Sequence, residues 1–386
     1  MRFLALLAIL LSGSGIFLVV AWLVRRQLER LSRALTVLGI GTALLLLVLW
    51  IFEAGGWQRR THYRQLTYAL SDSTLQSFLR RGVDMDKSIL MLSMASRGLA
   101  GYARISKEPA EDAKKRLAWV AQWVADERRF PVWRRSGEWE QQVFFLSHAA
   151  IILAHYQMTT LDETYAAKWT KVCKYLSDGI TRSRYKNLAS RPKDIALRPY
   201  DNAAALYALS LHDSYFGSKL LETATRDWSN YLNRELLFDD TALPCSGFTN
   251  TNRCRLMPVG ASMALLTAYA AEAEAPISAD FWREFRHYYK ESVMNVWAGF
   301  RTVPQGREIP DFCDEALFPL QCGAYQTELA QWAAAKRGDR LTYYQLNNYL
   351  LIYDMFNPIN EAWKEAPNKQ VEALIKLSAR LCAEVN

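Results

Sequence analysis

Arg198-Pro199-Tyr200-Asp201-Asn202 opens the stretch AAALYALSLHDSYF, residues 203–216. Its reading decides the fold. Pro199 disfavours helix at Arg198 just before it. Asp201 or Asn202 can then accept a backbone N–H left free at a helix start. The residues that follow are small and apolar almost all round, the pattern of a buried helix rather than a surface one. A polar and aromatic loop feeding a small-residue helix recurs along the chain. The apolar helices are expected to start near residues 87, 141, 202, 259 and 323, a period of about 55–65 residues, or one helical hairpin with its loops.

Each apolar helix is followed by a more charged partner. Lys87–Ile105 is followed by Ala110–Asp126, with Trp119 and Trp123 on one face; Trp139–Tyr156 by Asp162–Ile180; Asn202–Phe216 by Lys219–Leu236. Val259–Ala273 is followed by Ala279–Trp297, and Gly323–Lys336 by Leu341–Met355; a last helix is expected over Asn368–Ala383. No sustained period-2 run with hairpin turns stands out, so strands are not expected. Bland helices alternating with amphipathic ones imply two concentric rings. The expected fold is all-α, an (α/α)6 toroid over residues 61–386. An irregular bundle or a linear solenoid of hairpins is the competing arrangement. A toroid gathers the loops before its inner helices at one end, where a pocket forms.

Residues 1–56 read as an anchor. Phe3–Val24 and Ala34–Phe52 are 22 and 19 residues without a charge, each enough to cross about 30 Å of hydrocarbon as a helix. Between them Arg25, Arg26, Arg30 and Arg33 outnumber Glu29, which puts that loop in the cytoplasm by the positive-inside rule. The two transmembrane helices then form a hairpin, and the remainder faces the periplasm from a bacterial inner membrane. Arg59, Arg60 and Arg64 beyond the second span run against this rule. The first segment alone has the make-up of a signal peptide, but no small-residue cleavage site precedes an exported polar stretch.

Of the formal charge of +8, +5 lies in residues 1–60. The arginines suit anionic lipid headgroups. No clustered basic face marks the rest, so nucleic acid is set aside as a partner. Cys245 and Cys254 are nine apart, as are Cys313 and Cys322. Each pair can close a small loop by a disulfide, which an oxidising compartment permits. Cys173 and Cys382 are expected to be buried as small apolar groups. No cysteine spacing matches a zinc site, and no metal or cofactor is expected. Nucleotide-binding loops and serine-hydrolase elbows are missing from the sequence.

From about Asp84 to Pro304 the chain resembles linalool dehydratase/isomerase and its domain relatives. SILMLSMASRGLAGYARI (88–105) is similar to that family's early inner helix. FFLSHAAIILAHYQMTT (144–160) is similar to the inner helix that carries a catalytic histidine, at the position of His148. RPYDNAAALYALSLHDSYFG (198–217) is similar to the family's Pro-Asp-Asn stretch. The resemblance implies a helical barrel with a pocket that includes His148, Tyr200 and Asp201. The family's two pocket cysteines, nine apart around Pro-Asp-Asn, have no thiol counterpart near Arg198 or Tyr207. The catalytic Asp and Tyr before the first inner helix have no clear match either, although Asp84 and Asp86 lie nearby. Turnover of linalool itself is therefore not expected.

Acid/base chemistry needs titratable groups converging on a concave site. The expected pocket-end loops carry Asp84, Asp86, Glu138, Glu140, Asp201, Asp311, Asp314 and Glu315. The catalytic candidates are His148 as proton shuttle, Asp201 as acid, base or hydroxyl anchor, and Glu138 or Asp314 as a second carboxylate. Tyr200, Asn202, Asp86, Trp139, Arg253 and Phe312 are the substrate-binding candidates. Trp133, Trp139, Phe144, Phe248, Phe312, Phe318 and Tyr325 lie in or beside the same loops, a supply of rings that suits a sugar face or simple core packing. One function class is a metal-free lyase, isomerase or hydrolase acting on an envelope glycan or a lipid-like alcohol. The other is a non-catalytic barrel that binds an envelope protein or glycan.

Overall fold

The structure is a computed structural model, and it describes residues 9, 11–25, 28–81, 84–106, 110–134, 136–190, 197–238, 241–307, 323–356 and 367–386. Among them are fifteen α-helices: α1 Gly15–Val24, α2 Glu29–Ala54, α3 Trp57–Ala69, α4 Ser73–Arg81, α5 Met85–Ile105, α6 Glu111–Ala125, α7 Val143–Thr160, α8 Ala166–Arg182, α9 Pro199–Phe216, α10 Leu221–Glu235, α11 Gly260–Glu272, α12 Ser278–Tyr289, α13 Ala324–Lys336, α14 Arg340–Phe356 and α15 Pro367–Glu384. The chain is mainly helical, as the sequence implies.

Two kinds of helix alternate, and their composition says why. In α7, Phe145 through Gln157 are buried without a break. In α9, Asp201 through Leu209 are buried likewise. A helix that is apolar on every side lowers its free energy only where other helices surround it. By contrast α8 buries Trp169, Val172, Cys173, Leu176 and Ile180 on one stripe and turns Lys171, Lys174 and Asp178 to solvent. The bland helices pack in cyclic order: α5 on α7, α7 on α9, α9 on α11, α11 on α13, α13 on α15, and α15 back on α5. The amphipathic helices α6, α8, α10, α12 and α14 each pack against members of that set. The last helix is therefore the sixth bland helix in the cycle, buried at Val371, Leu374, Ile375, Leu377, Ala379, Leu381, Cys382 and Ala383.

Helix ends follow local chemistry. Pro199 sits in the first turn of α9, where its missing N–H costs nothing, and Gly217 ends that helix at φ +65°, its N–H bonded to the Asp213 carbonyl. Trp139 lies in a short 3-10 turn ahead of α7 rather than at its start.

The expectation of no strands is corrected at three short antiparallel ribbons: β1 Leu237–Phe238 with β2 Leu243–Pro244, β3 Gly247–Phe248 with β4 Cys254–Leu256, and β5 Lys290–Val293 with β6 Trp297–Phe300. The helix expected to reach Trp297 ends at Tyr289, because Met294 and Asn295 adopt left-handed backbone (φ +51° and +53°) and turn the chain back on itself. Cys245 and Cys254 are bonded as a disulfide across the β3–β4 ribbon. Cys173 and Cys382 are free thiols and buried, as expected. Cys313 and Cys322 lie outside the described residues.

Near the start, Glu29–Val48 is long and apolar enough to cross a membrane, while the apolar helix Leu11–Val24 is shorter. The two pack against each other.

The segment 300–302 is wedged between two inner helices. The Gly260 N–H donates to the Thr302 carbonyl at 2.7 Å, and a Cβ on Gly260 would stand 2.2 Å from the Arg301 carbonyl oxygen. Gly323, at φ +115°, would put a Cβ 1.8 Å from the Phe300 carbonyl oxygen. Backbone cannot yield there as a flexible side chain can. Gly323→Ala is expected to destabilise the protein by at least about 2 kcal/mol, since strain and overlap add; denaturant unfolding of the detergent-solubilised chain measures it.

Candidate functional site

Of the residues singled out in the sequence, Asp86, His148, Tyr200, Asp201 and Asn202 lie in the first two turns of the inner helices α5, α7 and α9. Asp201 stands in the first turn of α9 and is fully buried. Its surroundings are built by Asn202. The Asn202 carboxamide accepts the Leu188 N–H at 2.8 Å and donates to the carbonyls of Leu188 and Arg198 at 3.1 and 3.2 Å. The chain before α9 is thereby clamped alongside it, bridged further by Ala189 with Leu197 and by Leu197 with Phe248. This brings Ser190 to Asp201, where its hydroxyl donates to Oδ2. Oδ1 has no partner among the described residues. Asn202 was expected to bind substrate; its amide is instead spent on the chain's own backbone.

A buried carboxyl with one satisfied oxygen resists ionisation. Burial pushes Asp201 up to about 7, against the lowering effect of the Ser190 hydroxyl and the Arg198 charge, and Asp86 adds to the rise. Burial likewise raises the half-buried Tyr200 phenol, with Asp201 and Asp86 adding and Arg198 opposing. The Arg198 guanidinium reaches the Tyr200 hydroxyl at 3.5 Å. Asp86 is exposed in the first turn of α5, and its charge acts on both groups. The sequence candidates Asp86, Tyr200 and Asp201 therefore form one electrostatic cluster, joined by Arg198. At neutral pH an acid near 7 is populated in both forms, the condition for giving and taking protons.

His148 lies on α7, next to α9 in the cycle. Its Nδ1 is 2.8 Å from the Ser93 hydroxyl on α5. Phe144 meets its ring edge-on at 4.6 Å, and Tyr269 at 5.8 Å. Burial drives its pKa down to about 3, so the ring is neutral at physiological pH. It can hold or relay a hydrogen bond in that form. Ser93 and Ser190 carried no signal of their own in the sequence. A serine among small residues reads as packing until its partner is placed opposite.

Other candidates are elsewhere. Trp139 is 3% exposed and packs edge-on against Trp133 and Tyr175, its indole N–H on the Val132 carbonyl. Trp133 in turn meets Phe145 edge-on. These rings form core between α7 and α8, and Trp139 also lines a small cleft with Leu188, Ala189 and Leu197 of the segment before α9. Arg253 is exposed in the turn of the β3–β4 ribbon. The Glu138 side chain, Asp314 and Phe312 lie outside the described residues. Among the described residues, no three His, Cys, Asp or Glu side chains gather closely enough to hold a metal ion.

A feature the sequence did not announce lies at the opposite end. A cavity of about 1380 Å³ opens among the C-terminal turns of the inner helices, lined by Arg97, His155, Tyr207, Glu272 and Lys336 with α6 and α10 on its sides. The pocket was expected at the N-terminal end; this cavity is at the other. Its key residues come from five different helices, far apart in the chain, so no local pattern marks them.

In comparison with known proteins, the chain matches no family model and no curated sequence.

The Asp201 environment makes stability depend on pH with a definite sign. Folded Asp201 titrates near 7 against an ordinary value of 3.8. Between those values the folded state keeps a proton that the unfolded state releases, so this group's contribution to stability falls as pH rises and is lowest above about pH 7. Asp201→Asn removes that penalty. The variant is expected to unfold like the wild type below pH 4, and above pH 7 to be more stable by up to about 4 kcal/mol. Thermal unfolding at several pH values checks it.

Proposed function

We propose that this chain is a membrane-anchored acid/base enzyme of the (α/α)6 toroid class, a lyase or isomerase resembling linalool dehydratase/isomerase in architecture, that acts on a lipid-like alcohol. The cyclic contact order of the six bland helices and the amphipathic helices around them support the toroid. Both N-terminal apolar segments cross the inner membrane as a hairpin in this reading, with the arginines between Arg25 and Arg33 on the cytoplasmic side and the remainder periplasmic. The Cys245–Cys254 bond suits that oxidising side.

One observation carries the chemistry: a fully buried carboxyl, poised near pH 7, with one oxygen unpartnered among the described residues. In its acid form Asp201 donates a proton to the substrate hydroxyl oxygen. The C–O bond breaks and water leaves. A proton on the adjoining carbon passes to an ionised carboxylate, for which Asp86 is the nearest candidate by its effect on Asp201. Neutral His148, held by Ser93, orients the hydroxyl. The aromatic surroundings of His148, Phe144 and Tyr269, suit an apolar substrate. The burial of Trp133 and Trp139 in core favours such an alcohol over a glycan, which would need exposed rings.

Full-length protein in lipid nanodiscs, incubated with a panel of prenyl-type alcohols and with envelope glycan fragments, tests this by mass spectrometry of products. An alcohol is expected to be converted, with turnover falling as pH rises through about 7 and Asp201→Asn losing at least about a hundredfold. If neither class is converted, and the cell tolerates both Asp201→Asn and His148→Ala, the chain is a binding scaffold for an envelope partner.

A further inference from the structure

The cavity at the far end of the cycle has the make-up of a second site. Its floor is an ion cluster. Arg97 donates Nε and Nη2 to Glu272 Oε1 at 3.1 and 2.9 Å, and the Trp332 indole donates to the same oxygen at 3.0 Å. Lys336 Nζ stands 3.1 Å from Glu272 Oε2. Arg97 and Glu272 are almost wholly buried. Two cations face one carboxylate, so the floor keeps an uncompensated positive charge. Arg104 stands exposed on the rim. On the remaining rim, Lys114 pairs with Glu111 and Arg226 with Asp227, and the exposed Glu222 and Glu274 offset Arg104 there, so the surplus lies at the floor, on Arg97 and Lys336.

The walls are polar. His155 is buried and shares a 3.0 Å hydrogen bond with the Tyr207 hydroxyl. Burial, with the charges of Arg97 and Arg104, keeps the imidazole neutral over the opposing pull of Glu272. On α10, Thr225 and Ser229 stand one turn apart, each 7% exposed, and neither hydroxyl has a hydrogen-bond partner among the described residues. A buried hydroxyl left without a partner costs about 1–3 kcal/mol, and two on one wall of one cavity point to a polar occupant. Both side chains line the cavity. The volume exceeds what a drug-sized molecule fills.

We propose that this cavity binds a small polyhydroxylated anion, a carboxylate or phosphate on a sugar-like body. The oxyanion sits on the cation surplus of Arg97 and Lys336 at the floor, with Arg104 at the rim, and ligand hydroxyls satisfy Thr225 and Ser229. This site is separate from Asp201 and does not rest on the reaction proposed there.

Calorimetry on the full-length protein in detergent, with galacturonate, glucose 6-phosphate and glucose as probes, tests it. At least one anion is expected to bind with Kd at or below about 1 mM, and glucose at least about tenfold more weakly. The double variant T225V/S229A and the variant R104Q are each expected to weaken anion binding about tenfold at unchanged unfolding temperature, since none of these side chains ties the free fold together. Asp201→Asn is expected to bind as the wild type does. Which anion binds tells carboxylate from phosphate recognition. Failure of both anions, equal binding of glucose, wild-type affinity in both wall variants, or loss of binding in Asp201→Asn would each overturn the proposal.

Discussion

The pairing of buried charge between inner helices is the constraint on which the rest of the structure depends. Arg97 on α5 meets Glu272 on α11, which also takes Lys336 and Trp332 from α13, while Arg97 reaches Asn386 just beyond α15 at 2.6 Å. Burial opposes the charge of Glu272, yet Arg97 and Lys336 hold its carboxyl down at about 2. A second cluster joins Arg380 on α15 to Glu328 on α13 and Asp354 on α14. Such groups cannot be buried singly, because an unpaired charge in the interior costs several kcal/mol. The helices must therefore meet in one register. Bland helices lined with Ala and Leu have few other means of setting how far one slides along the next.

That register creates two ends with opposite electrostatics from the same low-dielectric interior. At the C-terminal end a carboxylate is surrounded by cations and stays ionised. At the N-terminal end Asp201 has one serine hydroxyl and a more distant arginine, and burial wins. Two acids, each almost wholly buried, are thus pushed in opposite directions by their partners alone. A line of aromatic residues runs between the ends: His148 to Tyr269, Tyr269 to Tyr207, and Tyr207 to His155. These rings stand between the two ends.

The loops do comparable positioning work. Asn202, which resembles a site residue in sequence, is the clamp that presents Ser190 to Asp201. The β5–β6 ribbon and the strand-like segment 300–302 lie against the starts of α11 and α13 so closely that only glycine fits at positions 260 and 323.

By itself the sequence determined the alternation of bland and amphipathic helices, the places where most of them begin and end, the apolar start of the chain, and Asp201 at the head of a buried helix. These are local properties: hydrophobic period, proline at a helix start and glycine at its end act within a few residues. The Cys245–Cys254 bond was legible for the same reason, since it closes a short ribbon. What only the tertiary structure decided involves partners far apart in the chain. Arg97 and Glu272 are 175 residues apart, and His148 and Ser93 are 55 apart. Nothing in either local stretch specifies the other. Trp139 read as a ring for substrate until the 3-10 turn before α7 placed it between Trp133 and Tyr175. The cavity at the C-terminal end was invisible because it is the space left among six helix ends and two outer helices. Such a space belongs to no one segment, and it exists only once long-range burial and charge pairing have brought those ends together.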